Sequence, residues 1–414
     1  MTYQETLNYL FESQPTFHLV GGSAYKPGFD NVNKLLEALD NPHLKLKCIH
    51  VAGTNGKGST SHLIAAALQS AGYKTGLFTS PHLVDFGERI RINGEMMAQE
   101  AVIEFVEQHK TLLETIKPSF FETTFAMAVD YFVKQETDVC VIEVGLGGRL
   151  DCSNVIRPDL CVITNIGIDH TEFLGDTLPQ IAAEKAGIIK QGTPVVIGES
   201  NEQTAPVFIE TSHRLQAPII FADQQVLPQL EDWTCQLTGS YQTKNKLTAY
   251  CALKMLCDYG YLISENSIRD GFAQVCTLTK LRGRWEIIRQ KPLTICDTGH
   301  NAHGLKYVGE QLATYKNGQV HVVFGMVKDK DISTALSMLP PKAVYYFTQA
   351  GTPRALPADE LQVMAAEHHL CGKTYHSVIE AIHAAYLYMK EGDMLLIGGS
   401  NYLVGEALAL PEFQ

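Results

Sequence analysis

Positive charge, tryptophan, paired cysteines and long apolar runs are all scarce in this sequence. Lysine and arginine together number 33 against 45 acidic residues, a formal charge of -12 over 414 residues. A protein that holds nucleic acid through a basic face is therefore not expected. No apolar run is long enough to span a bilayer, so no membrane partner is expected either. Met1 to Glu12 lacks a basic segment followed by an apolar stretch, so a signal peptide is not expected and the cytoplasm is the expected compartment. The ten cysteines form no C-x-x-C pair, and Cys140, Cys161 and Cys296 lie in apolar, strand-like runs. Free, buried thiols in a reducing compartment fit that usage better than disulfides or zinc. There is no internal repeat and no low-complexity tract.

Apolar residues, by contrast, make up 45% of the chain, enough for more than one buried core. Short apolar runs predict strands at Lys47–Ala52, Val139–Val144, Leu160–Asn165, Pro194–Gly198, Leu293–Cys296, Val320–Gly325, Ala343–Thr348 and Met394–Gly398. Most are continuous rather than alternating, which suits parallel strands covered on both faces. Helical patterns lie between them, as at Ser59–Ser70, Ala98–Thr115 and Pro357–Glu367. The basic, glycine-containing stretch Lys280-Leu281-Arg282-Gly283-Arg284 marks a boundary within Thr279–Lys291, and a fresh β/α series is expected from Leu293.

The strongest local signal is Gly53-Thr54-Asn55-Gly56-Lys57-Gly58-Ser59, between a predicted strand and a predicted helix. Glycines let backbone N–H groups turn inward, a helix N-terminus favours an anion, and the lysine reaches outer phosphates. The loop departs from the common phosphate-loop pattern. Val51 stands where the first glycine belongs, and Gly58 where a magnesium-binding hydroxyl belongs. Ser80, in Thr79-Ser80-Pro81-His82-Leu83, is a candidate to supply that hydroxyl. The expected fold is α/β. Residues 1–282 form an N-terminal P-loop-type domain with a mostly parallel sheet, and residues 283–414 form a C-terminal Rossmann-like α/β domain.

Further motifs follow in order: Glu88-Arg89-Ile90-Arg91-Ile92-Asn93-Gly94, Phe121-Glu122-Thr123-Thr124-Phe125, and Glu143 through Gly147-Gly148-Arg149-Leu150-Asp151. Then come Ile168-Asp169-His170-Thr171, Glu184-Lys185-Ala186-Gly187-Ile188, and Gly239-Ser240-Tyr241-Gln242 with Asn245. The C-terminal part adds Gly283-Arg284-Trp285-Glu286, Asp297-Thr298-Gly299-His300-Asn301, Lys328-Asp329-Lys330-Asp331 and Gly399-Ser400-Asn401-Tyr402. Over almost its whole length the chain thus resembles the folylpolyglutamate synthase/dihydrofolate synthase family of the Mur ligase superfamily. Two small exchanges depart from that pattern. Gly299 replaces the usual alanine, and Asp151-Cys152-Ser153-Asn154 replaces the usual Asp-Ala-Thr-Asn.

The resemblance implies an ATP-dependent ligase that phosphorylates a carboxylate and joins L-glutamate to it. The acceptor would be dihydropteroate, a reduced folate, or both. It implies an ATP-binding domain with a pterin pocket over 1–282 and a glutamate-ligase domain over 283–414. Two magnesium ions would be held by Ser80, Glu143, His170 and a Lys185 carbamylated by CO2. A carboxylate at the carboxyl end of a strand, like Glu143, also suits a metal on general grounds. Lys185 taken alone reads as a solvated lysine paired with Glu184. The implied nucleotide contacts are Thr54, Asn55, Gly56, Lys57, Gly58, Ser59, Asn245, Arg284 and Asp297. The implied catalytic groups are Lys57, Lys185, His170 and His300. The implied pterin contacts are Phe121, Glu122, Thr123, Thr124 and Phe125, with Leu150, Asp151 and Cys152; the first five also read as a core-facing helix start. A site assembled by two domains and closing over ATP is expected, in a monomer. The rivals are a muramyl ligase, disfavoured by the 52 residues ahead of Gly53, and a non-catalytic nucleotide-binding regulator.

Overall fold

A computed structural model describes residues 1–14, 28–227, 230 and 232–413. The chain divides into two compact units. The first holds Met1–His82, Phe86–Gln236 and Gln242–Leu281; the second holds Leu83–Asp85, Leu237–Tyr241 and Arg282–Gln414.

In the first unit β1 (Cys48–Ala52), β2 (Thr75–Phe78), β3 (Ile90–Ile92), β4 (Glu95–Met96), β5 (Val139–Glu143), β6 (Leu160–Ile163), β7 (Val195–Ile197) and β8 (Ile219–Phe221) form one sheet. Its order is β4-β3-β2-β5-β1-β6-β7-β8. The strands from β2 to β8 in that order pair in parallel, while β3 and β4 join antiparallel at one edge. β1, β5 and β6 are buried along their whole length, because helices cover both faces. One face packs Leu35, Phe78, Phe125, Val129 and Phe132 into a core. The other packs Ala52, Ile163, Ala182, Ile188 and Phe208.

The helix after β1 runs Lys57–Ser70 and is buried on every side from Ser59 to Leu68. Its alanines allow this. A side chain built on Gly271 would meet the Ala67 backbone at 2.5 Å, so the helix Glu265–Ala273 approaches to backbone contact. The helix Lys57–Ser70 starts two residues ahead of the expected Ser59, because Gly56, at φ +81°, caps it in a left-handed conformation.

The second unit holds β9 (Glu286–Gln290), β10 (Leu293–Asp297), β11 (Val320–Phe324), β12 (Val344–Phe347), β13 (Gly372–Thr374) and β14 (Met394–Gly398) in the order β13-β12-β11-β14-β10-β9. Five strands are parallel, and β9 pairs antiparallel with β10. The β/α series therefore opens at Glu286, one strand earlier than expected. β9 escapes sequence reading because it is a partly exposed edge strand bearing Arg289 and Gln290. Both units confirm the α/β class. The ten cysteines are free thiols. Among the described residues, no helix is long and apolar enough to cross a membrane.

Candidate active site

Parallel pairing puts the carboxyl ends of β5, β1 and β6 side by side, so the turns after them share one edge of the sheet. The turn after β1 is the glycine loop. Gly53 has φ +149°, and a side chain there would lie 1.9 Å from Thr164 Oγ1. One on Gly56 would lie 2.2 Å from Asn245 Oδ1. These glycines therefore answer to close packing as well as to backbone conformation. The loop is tied to the turn after β6. Thr54 N donates to Asn165 O at 3.0 Å, Asn55 N to Asn165 Oδ1 at 2.9 Å, and Thr164 Oγ1 to Asn55 O at 2.6 Å. Thr54 Oγ1 both donates to Gly167 O and accepts from Gly167 N. Gly58 and the buried Ser59 continue into the first turn of the helix, where backbone N–H groups lack intrahelical partners.

Two lysines converge on one carbonyl of this loop. Lys57 Nζ lies 3.1 Å from Gly53 O, and Lys185 Nζ lies 3.0 Å from it. Lys185 is 3% exposed, on the helix Leu178–Ala186. Burial and then the Lys57 charge push its amine down to about 7, against the pull of Asp169, Asp151 and Glu184. Glu184 instead forms an ion pair with Arg149 at 2.8 Å, so the local Lys185–Glu184 pair read from sequence alone is not made. Neighbouring residues on a helix face different ways.

Glu143 ends β5, 3% exposed, and its Oε2 accepts from Ser80 N at 3.2 Å. The two metal candidates from distant sequence positions are thus neighbours. His170 caps the short helix Thr171–Leu174 in a left-handed conformation, its ring 3.9 Å from Asp169. Asn245 lies on the helix Gln242–Asp258 and donates to Gln242 Oε1 at 2.8 Å; Gln242 in turn donates to Ser59 Oγ at 3.1 Å. Asn245 therefore sits against the glycine loop itself.

The pterin candidates divide. Glu122 forms a capping box with Ser119, accepting from its N at 2.7 Å and its Oγ at 2.8 Å. Thr123, Thr124 and Phe125 are buried in the helix Phe120–Lys134, with Phe125 edge-on to Phe78. Phe121 alone of the five is partly exposed, its ring pressed on Gly145. Leu150 is half-buried and Cys152 is buried. Asp151 accepts from Leu146 N at 2.9 Å and from Ser153 N at 2.9 Å, closing the glycine turn 145–151.

In the second unit Asp297 ends β10, 3% exposed. It accepts from Tyr241 OH at 2.6 Å, Trp285 N at 2.8 Å and Gly299 N at 2.8 Å. Burial raises its pKa against those donors. Arg284 donates to Thr298 Oγ1, and His300 Nδ1 lies 2.9 Å from Thr298 O. Asp297 thus orders the strand end on which Arg284 and His300 stand.

The donors fit a magnesium nucleotide. A glycine loop at a helix N-terminus suits phosphates, and one carboxylate and one hydroxyl suit a hard cation whose shell phosphates and water complete, with the His170 imidazole a softer added donor. Among the described residues no three His, Cys, Asp or Glu side chains converge as a protein-only metal cage. Sequence reading missed Thr164, Asn165 and Gln242, which pin the loop. A polar Thr-Asn pair closing the apolar run of β6 was the available signal.

The Mur ligase middle domain matches residues 51–253, and the Mur ligase glutamate ligase domain matches residues 283–401. A dihydrofolate synthase/folylpolyglutamate synthase of Escherichia coli K12 is 35% identical, over 86% of this chain and 85% of the relative. The solved E. coli FolC in complex with DHPP and ADP superposes with a TM-score of 0.86 at 31% identity, covering 99% of this chain and 97% of that one. A solved bifunctional folylpolyglutamate synthase/dihydrofolate synthase with Mn, AMPPNP and L-glutamate bound gives 0.84 at 29% identity, covering 99% and 98%. The chain belongs to the dihydrofolate synthase/folylpolyglutamate synthase family of Mur ligases.

Proposed function

We propose that this protein uses ATP to join L-glutamate to dihydropteroate and to the γ-carboxylate of reduced folates, through an acyl phosphate. The observation that carries this reading is the convergence of Lys57 and Lys185 on Gly53 O, beside the strand ends that bear Glu143 and Asn165. The acceptor carboxylate oxygen attacks the γ-phosphorus, the bond to ADP breaks, and an acyl phosphate forms. The glutamate amine then attacks the acyl carbon, the C–O bond to phosphate breaks, and the amine loses a proton. The protein's work in both steps is positioning and charge compensation.

The Gly53–Ser59 loop cradles the phosphates, and Lys57 turns from Gly53 O toward the outer ones. Glu143, Ser80 and His170 would hold magnesium, which would supply neutralisation of the phosphate charge. Lys185, buried with its amine near neutrality, adds CO2 to give a carbamate and release a proton; the resulting anion balances the cations around it. No carboxylate is paired to its Nζ among the described residues, so the unmodified amine has only Gly53 O to bond. Phe121 offers the ring face for a pterin, and Asp151 shapes the turn beside it. Asn245, Arg284 and Asp297 serve the nucleotide, and His300 the transferred phosphate. Residues 1–282 carry ATP and pterin, and 283–414 form the glutamate-ligase part.

The test is phosphate release from ATP by the purified protein. It should require both dihydropteroate and L-glutamate. Hydrolysis that needs neither would remove the ligase reading. Comparing turnover on dihydropteroate with turnover on a reduced monoglutamyl folate separates the two acceptor activities.

A further inference from the structure

We propose that His50 and Ser153 are positioning residues for the pterin side of the site, acting through Asp151. This rests on the pterin reading of Phe121 and Asp151 above.

His50 lies in the middle of β1, the central strand, and is fully buried. A histidine there is costly unless it makes a bond that matters. Its Nε2 is 2.9 Å from Ser153 Oγ, and Ser153 Oγ is 2.5 Å from Asp151 Oδ1. The directions follow from chemistry. Burial holds the imidazole neutral, its pKa down to about 3, while Asp151 takes an N–H donor on each oxygen, Ser153 N on Oδ1 and Leu146 N on Oδ2, and so stands as an acceptor. The Ser153 hydroxyl spends its one proton on the Asp151 carboxylate, so it must accept from His50. His50 is therefore the Nε2–H tautomer, with Nδ1 bare. That agrees with Nδ1 being buried and without a hydrogen-bond partner.

The chain of donors continues outward. Asp151 Oδ2 accepts from Leu146 N at 2.9 Å, the amide that directly follows Gly145. Gly145 is the residue on which the Phe121 ring rests, 2.5 Å from where a side chain would begin. In the same turn, Gly148 rests on the carbonyls of Glu184 and Lys185. His50 thus fixes Ser153, Ser153 fixes Asp151, and Asp151 fixes a turn that touches both Phe121 and the Lys185 helix. No residue of the glycine loop at Gly53–Ser59 belongs to this chain of bonds, so the effect is directed at the acceptor rather than at ATP.

The experiment uses the full-length protein with dihydropteroate, ATP and L-glutamate. His50→Phe and Ser153→Ala should each raise the KM for dihydropteroate about 10-fold, the size expected for one buried hydrogen bond, with the KM for ATP unchanged. His50→Gln, whose amide can still donate, should recover most of the loss. The double variant should be no worse than Ser153→Ala, because both act through one hydroxyl. Protein labelled with 15N-histidine reports the tautomer directly, even for a variant that folds poorly. A protonated Nε2 with a bare Nδ1 supports the proposal, and the opposite tautomer overturns it. Equal changes in both KM values, or additive single effects, also overturn it. Absence of any dihydropteroate-dependent turnover in the unmodified protein would instead defeat the ligase reading, and the tautomer measurement keeps the two failures apart.

Discussion

Replacing Gly56 by alanine tests the phosphate loop through packing alone. At φ +81° any L side chain is strained, costing about 1 kcal/mol. The new Cβ would also lie 2.2 Å from Asn245 Oδ1, so Asn245 must move. Its movement breaks the bond to Gln242 at 2.8 Å and loosens that of Gln242 to Ser59 at 3.1 Å. Each such bond is worth about 1 kcal/mol, so the binding-competent loop is disfavoured by about 3 kcal/mol in all. That penalty reduces the competent fraction, and nucleotide affinity should fall about 100-fold. Calorimetric titration with ADP or a non-hydrolysable ATP analogue measures it. Gly72→Ala is the control: its φ is +92°, but nothing lies within 4 Å of the added carbon. That change should cost about 1 kcal/mol of stability and leave nucleotide affinity alone. If Gly56→Ala binds nucleotide within about threefold of the unmodified protein, Asn245 does not brace the loop and the packing argument fails.

Lys185 gives a pH signature. Its folded pKa, about 7, lies below the ordinary 10.5, so the folded protein bears the full penalty of a buried cation below pH 7 and loses it as pH rises toward 10.5. In CO2-free buffer Lys185→Met should therefore melt higher than the unmodified protein at pH 6, with the gain shrinking toward pH 10 and ligase activity absent. For the unmodified protein, activity should fall when dissolved CO2 is removed and return with hydrogencarbonate; indifference to CO2 would end the carbamate reading. Phe121→Ala should raise the KM for dihydropteroate by an order of magnitude, whereas Glu122→Ala should chiefly lower stability, by about 1 kcal/mol for a lost cap. Steady-state kinetics and urea unfolding separate the two, and a specific dihydropteroate defect in Glu122→Ala would restore that carboxylate to the pocket. Asp297→Asn replaces one oxygen by an amide donor facing at least one N–H donor, Gly299 N on Oδ1 or the Tyr241 and Trp285 donors on Oδ2, and should cost about 2 kcal/mol in urea unfolding, against about 1 for Tyr241→Phe.

The α/β class and eight strands were legible because continuous apolar runs mark strands buried on both faces. The strands missed, such as β3, β4 and β9, are short or exposed at edges, and their pairing rather than their composition makes them strands. The glycine loop was legible as a phosphate cradle because backbone conformation restricts residue type locally. Sequence alone also named Glu143, Ser80 and Lys185, through resemblance. Only the tertiary structure put Glu143 beside Ser80 and two lysines on one carbonyl. It also divided the Phe121–Phe125 run into one partly exposed ring, one cap and three buried side chains, since a helix turns successive residues to different faces. His50 shows the limit most clearly. In sequence it is a histidine in an apolar strand; its meaning depends on Ser153, 103 residues away, which chain folding alone brings within a hydrogen bond.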